Sequence, residues 1–105
     1  MFVSTHLCHL SETNRLAQVT KLAELLGNVD GRVILAGDLN ARPASAPMQT
    51  LLKEWRNPLE DEQTIDYVLV RQRDGWQPVS ARKIAEPAAS DHDPVVVELA
   101  WPDSP

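Results

Sequence analysis

Residues 2–7, "FVSTHL", mix β-branched and apolar side chains in a short run, which predicts a strand. A helical period follows. Ser11 can cap a helix with Glu12 in its first turn, and Leu16, Val19, Leu22, Ala23 and Leu26 then recur on one face until Gly27 can end it. That pattern leaves Arg15, Gln18, Lys21 and Glu24 in water. After the turn "GNVDG", Arg32 to Gly37 form a short unbroken apolar run, the signature of a strand covered on both faces. A loop rich in proline and small residues, "DLNARPASAP", leads to a second short helix. Ser45 is its candidate cap, Pro47 fits its first turn, and Met48, Leu51, Leu52 and Trp55 would form its inner face.

The remainder is strand and loop. "NPLEDEQ" is an acidic loop, Thr64 to Val70 a strand, and "WQPVSARKI" a weaker strand interrupted by Pro78. "AEPAAS" is loop, and Pro94 to Leu99 form a last strand that also looks covered on both faces. Together the elements predict an α/β (α+β) domain: one mixed β-sheet with helices on one face, spanning residues 1–101, and a tail at 102–105. Two helices can cover one face of such a sheet but not both, so an apolar sheet face is left for something else to bury.

Composition narrows the class. A length of 105 residues fits one small domain with a modest core. A formal charge of −5 argues against tight capture of nucleic acid by charge alone, though a bound divalent cation would reverse the local field. Cys8 is the single cysteine, so no internal disulfide forms, which fits a reducing, cytoplasmic setting. The sequence has no apolar run of about 18 residues to span a membrane and no clear signal peptide at its start.

Polar chemistry gathers at strand ends. His6 lies in "STHL", Asp38 and Asn40 in "GDLN", Asp66 inside "TIDYVLV", and Asp91 and His92 in "SDH". Taken singly these are ordinary: a strand histidine is commonly structural, and Gly, Asp and Asn favour turns. Asp66 is less ordinary, because Asp is disfavoured in strands and needs a partner if buried. Taken together, carboxylates, an amide and imidazoles at the ends of adjacent strands can converge on one rim. Hard oxygen ligands suit Mg²⁺ or Mn²⁺, and a histidine backed by a carboxylate suits a phosphate oxygen or a water nucleophile. That set describes metal-assisted hydrolysis of a phosphate ester.

In that order, "STHL", "GDLNARPAS", "TIDYVLV" and "SDHDPVVVEL" resemble the C-terminal half of the endonuclease/exonuclease/phosphatase superfamily, the DNase I-like fold. The resemblance runs from Ser4 to about Leu99. It implies half of a four-layer α/β/β/α sandwich and a metal-dependent phosphoester hydrolase of the phosphodiesterase, nuclease or phosphatase kind. His6 resembles the histidine that contacts the scissile phosphate. Asp38 resembles the aspartate that orients or deprotonates the attacking water or assists the leaving group, and Asn40 the partner that binds a phosphate oxygen and holds it. His92 resembles the catalytic histidine, Asp66 the carboxylate bonded to it, and Asp91 a metal-associated aspartate. Asp91, Asp38 and Asn40 are then the implied metal donors, for Mg²⁺ or Mn²⁺.

Two departures accompany the resemblance. Family members are longer, and their N-terminal half carries an Asn and a metal-binding Glu that nothing here supplies. Where the family often has Asp, this chain has Cys8. The expectation is therefore an incomplete or truncated catalytic domain, with a weakly held cation and little or no turnover on its own. The alternative is a catalytically inactive half-domain that forms a homodimer or pairs with a separate partner chain through the apolar sheet face. The substrate is a phosphoester of unspecified class. Arg42, Arg71, Arg73, Arg82 and Lys83 are candidates for a local basic rim or, more simply, a solvated surface, and Trp55 and Trp76 are packing residues.

Overall fold

The computed structural model of the chain describes residues 1–59, 63–85 and 91–100. Trp101, the expected tail at 102–105 and parts of the "NPLEDEQ" and "AEPAAS" loops, Ser90 included, lie outside the described residues. The elements run β1 (Phe2–His6), α1 (Glu12–Gly27), β2 (Ile34–Asp38), α2 (Ala46–Leu51), β3 (Trp55–Arg56), β4 (Asp66–Arg71), a 3₁₀ turn (Gln72–Asp74), β5 (Gln77–Lys83) and β6 (Val95–Ala100).

The expected mixed sheet is present, with strand order β1-β2-β4-β3. β1 runs parallel to β2, and β4 is antiparallel to both β2 and β3. β5 and β6 pair with each other as a separate two-stranded sheet, with β6 lying against β4. The apolar pattern of β6 suggested burial on both sides, but the strand alternates, and Val96 is 41% exposed.

One face of the four-stranded sheet holds the core. Val33, Leu35, Tyr67 and Leu69 pack there against Val19 and Leu26 of α1 and Met48 and Leu51 of α2. Each fully buried aliphatic side chain contributes about 1.5–3 kcal/mol relative to exposure, so this layer is the main source of stability. Ser11 caps α1 as its sequence suggests, accepting from the Asn14 N–H at 3.2 Å. Ser45 precedes α2 without capping it through its side chain; its Oγ donates instead to Arg42 O at 2.7 Å. Trp55 belongs to β3 rather than to the inner face of α2, because the helix ends at Leu51; it is buried in the same core.

The opposite face is read off the strand register. Phe2, Ile34 and Val70 form one row across β1, β2 and β4, and Ser4, Ala36 and Val68 form the next. Among the described residues no helix covers these rows, although Val70 itself is buried. Phe2 is 67% exposed, while Ile34, Ala36 and Val68 are half-buried. The third row is His6, Asp38 and Asp66. Gly37 makes this edge tight: a Cβ at its position would sit 1.9 Å from Thr5 O, and its φ is 142°, so only glycine lets β1 close onto β2 here.

Candidate active site

The row at the end of the sheet brings together residues far apart in sequence. His6 Nε2 lies 3.6 Å from Asp38 Oδ2. Asp38 and Asp66 stand side by side on β2 and β4, and His92, in the segment entering β6, faces both. His92 Nδ1 is 2.7 Å from Asp66 Oδ2. A carboxylate can only accept, so Nδ1 carries the proton, and the other nitrogen, Nε2, faces Asp38 Oδ2 at 3.8 Å. The hydrogen bond and charge of Asp66 raise the His92 pKa above its ordinary value; partial desolvation opposes them, and Asp38 and Asp91 add to the rise.

Each member is held by its local sequence. Asn40 adopts a left-handed backbone, φ 47°, which asparagine tolerates better than most residues. There its N–H donates to Asp38 Oδ1 at 2.9 Å and its Nδ2 donates to Leu7 O at 2.8 Å. The Asn40 backbone thus fixes Asp38, while its side chain staples the stretch just after β1 to the loop after β2. Thr64 Oγ1 accepts from the Asp66 N–H at 3.0 Å and donates to Asp66 O at 3.1 Å, setting the start of β4. Tyr67 Oη donates to Ala41 O at 2.6 Å, tying the Asn40 loop to β4, and burial pushes its phenol pKa up. Ile84 N donates to Pro94 O at 2.8 Å, closing the mouth of the β5–β6 pair next to His92.

The structure therefore gathers His6, Asp38, Asn40, Asp66 and His92 in one place. One ligand atom each from Asp38, Asp66 and His92 lie within 4.8 Å of one another, a separation a cation could bridge. Asp91 stands outside that trio but lines the cleft of about 190 Å³ that Asp66 and His92 also line. Cys8, just past β1, is drawn below its ordinary thiol pKa by backbone N–H groups of Leu10 and Ser11.

Sequence reasoning missed Thr64 and Tyr67 as positioning groups. A signal was present for the second: a tyrosine in a buried strand needs a partner for its hydroxyl. The basic rim divides. Arg42 and Lys83 line the cleft beside His92. Arg71 is buried at the far end of β4, its guanidinium bonded to Asp74 and to the carbonyls of Leu26, Val29 and Gly31. Arg73 sits with Arg71 on a separate crevice of about 440 Å³ that also touches Lys53 and Gln72. That larger crevice is remote from the histidine–carboxylate row.

A mixed sheet with helices on one face and a histidine–carboxylate row at its end defines an α/β domain of the DNase I-like class. The profile of the Endonuclease/Exonuclease/phosphatase family matches residues 4–92, and the chain belongs to that family. Among curated proteins no sequence match was found. Three solved structures share the fold. A functionally unknown conserved protein from Enterococcus faecalis matches with TM-score 0.80 at 23% identity, covering 96% of this chain and 50% of that one. A mannosyl-6-phosphatase from Bacteroides thetaiotaomicron matches with TM-score 0.75 at 19% identity, covering 95% and 51%. An endonuclease/exonuclease/phosphatase family protein from the same organism matches with TM-score 0.74 at 17% identity, covering 96% and 48%. The chain thus spans about half the length of these structures.

Proposed function

We propose that this chain carries the water-activating and phosphate-binding half of a metal-dependent phosphoester hydrolase. The observation that supports this most is the His6–Asp38–Asp66 row with His92 bonded to Asp66 above it. The donor chemistry fits Mg²⁺ or Mn²⁺. Asp38 and Asp91 offer hard carboxylate oxygens, and Asn40, with one of its two Nδ2 hydrogens on Leu7 O, keeps its amide oxygen for a cation and its second N–H for a phosphate oxygen. Magnesium is commonly held by only one or two carboxylates plus substrate phosphate, so this set would suffice for weak binding. Such an ion would neutralise charge on the phosphoryl oxygens.

The protein groups then divide the work. Asp66 accepts from the His92 Nδ1–H and favours the charged form of the ring, and only that form turns an Nε2–H toward the phosphoryl oxygen. Asp38 accepts a hydrogen bond from the attacking water and takes its proton, held in orientation by the Asn40 N–H. His6, exposed at the edge of the row, reaches the phosphate from the side of β1. A small phosphoester fits better than a nucleic acid, given the formal charge of −5.

The test is phosphate or nitrophenol release from a chromogenic phosphodiester and phosphomonoester, with Mg²⁺ or Mn²⁺ against a chelator. Weak but metal-dependent turnover is expected, lost in both Asp38→Asn and His92→Gln. Turnover that ignores the metal, or survives both substitutions, defeats the proposal.

A second reading is favoured by one observation: the chain spans half of its structural relatives and leaves the Phe2–Ile34–Val70 and Ser4–Ala36–Val68 rows without a helix over them. In it the chain is a half-domain that pairs with a second copy or a separate chain across those rows. Light scattering after size exclusion should then show a dimer at micromolar concentration, or an exposed face that binds a hydrophobic dye. A monomer that binds no dye excludes it.

A further inference from the structure

We infer that the cleft beside His92 is a subsite for a second anionic group of the substrate, held by Arg42 and Lys83. This deepens the hydrolytic reading above and rests on it. Arg42, Thr64, Asp66, Lys83 and His92 all line a cleft of about 190 Å³. Whole small-molecule sites start near 300 Å³, so the space suits one group of a substrate rather than all of it. Because Asp66 and His92 belong to the same lining, an occupant would adjoin the phosphoryl group that His92 faces.

Among the described residues the two cations are placed and have no charge partner. Among the described residues neither Arg42 nor Lys83 has a carboxylate oxygen within 4 Å, whereas Arg71 is paired with Asp74. Lys83 Nζ donates to Gln63 O at 3.0 Å, which holds the ammonium at the rim and leaves two of its three donors for a ligand. Arg42 is exposed, yet its backbone is fixed on both sides: Tyr67 Oη binds Ala41 O, and the Ser45 N–H and Oγ both bind Arg42 O. A fixed backbone under a guanidinium that has no carboxylate partner among the described residues suits bidentate recognition of a phosphate or carboxylate. Asp91 and Asp93 line the cleft as well and disfavour an anion arriving without a divalent cation. The substrate class is therefore a small phosphoester with a second acidic group, bound together with the metal.

The experiment is calorimetric or NMR titration of the 105-residue chain in Mg²⁺ with a hexose monophosphate and with the matching hexose bisphosphate. The bisphosphate should bind about tenfold tighter or more, since one charge-assisted contact is worth at least that. Arg42→Gln and Lys83→Gln should each cut the ratio several-fold, and the double variant should bring it within about twofold, with monophosphate affinity and circular dichroism unchanged; added salt should narrow the gap in the parent chain. Equal affinity for the two probes, no saturable binding of the bisphosphate, or a ratio that survives in the double variant overturns the inference. Failure of the hydrolytic reading would look different: no metal-dependent phosphate release, with the affinity ratio intact.

Discussion

Arg71→Met removes a side chain that makes five hydrogen bonds among the described residues, and it does so away from the row at the other end of β4. All five guanidinium N–H donors of Arg71 are engaged: two on the Asp74 carboxylate, at 2.9 and 2.8 Å, and three on the carbonyls of Leu26, Val29 and Gly31 at the end of α1. Asp74 in turn accepts from the Val33 N–H at 2.8 Å, so the pair locks α1, β2 and β4 together. Only 4% of the Arg71 side chain and 5% of the Asp74 side chain are exposed. Deleting one partner of such a pair leaves a buried charge unmatched and costs about 3–5 kcal/mol. Summing the five bonds would overstate the loss, because the turn carbonyls of Val29 and Gly31 can be reached by water. A small domain has roughly 5–15 kcal/mol in total, so this is roughly a fifth or more of its stability and a fall of about 12 °C or more in Tm.

The pH dependence separates this cause from simple loss of packing. Burial alone would raise the Asp74 carboxyl, but the hydrogen bonds from Arg71 and the Val33 N–H, with the charges of Arg71 and Arg73, outweigh it and hold its pKa below the ordinary value. A carboxyl lowered in the folded state stabilises above its unfolded pKa, near 3.9, and that contribution fades as pH falls through the lower folded value. In Arg71→Met the burial effect is opposed only by the Val33 N–H and the charge of Arg73, so protonating Asp74 costs the variant less than the parent and the gap between them narrows below about pH 4. Urea unfolding followed by circular dichroism at pH 7 and pH 3 reads both quantities. A loss under about 1 kcal/mol at pH 7, or the same loss at both pH values, refutes the reasoning.

Three further outcomes are expected. Gly37→Ala places a Cβ against Thr5 O at a backbone angle that only glycine adopts easily, so it should cost at least about 2 kcal/mol and expose the β1 amides to hydrogen exchange first. Because His92 has a raised pKa, its charged form persists above about pH 6.5 and is lost as pH rises through the raised value; Asp66→Asn should move that limb, followed by imidazole NMR, back toward the ordinary value. Tyr67→Phe leaves Ala41 O without its donor in a buried setting and should cost about 1–2 kcal/mol by denaturant titration, with proteolysis nearest Asn40 and Arg42 rising first.

The elements that follow a local rule were legible, and those that depend on a distant partner were not. Ser11, the spacing of Val19 and Leu26, and the ending at Gly27 placed α1 because caps and period are encoded within a few residues. The polar row was visible as four short motifs, but the sequence could not say that His6, Asp38 and Asp66 share one register line; that follows from strand pairing across some sixty positions. Arg71 was indistinguishable from a surface arginine for the same reason, since its partners Leu26, in α1, and Val29, just after it, lie more than forty residues upstream. β6 misled because a run such as "PVVVELA" carries no alternation of its own, and only its position outside the larger sheet leaves Val96 open.

The two functional readings meet on a single surface. The apolar rows Phe2–Ile34–Val70 and Ser4–Ala36–Val68 and the polar row His6–Asp38–Asp66 project from the same face of the sheet, one strand pair after another. A partner that buried the apolar rows would adjoin the polar one and exclude water from it. Lower local dielectric strengthens the His92–Asp66 pair and any contact to a phosphoryl oxygen, while an unmatched group there becomes more costly. Covering the face and completing the site are then one event in physical terms. Any change that raises dimer formation should also slow amide exchange at His6 and Asp38, and a partner that stabilised the fold without touching that row would have to sit elsewhere.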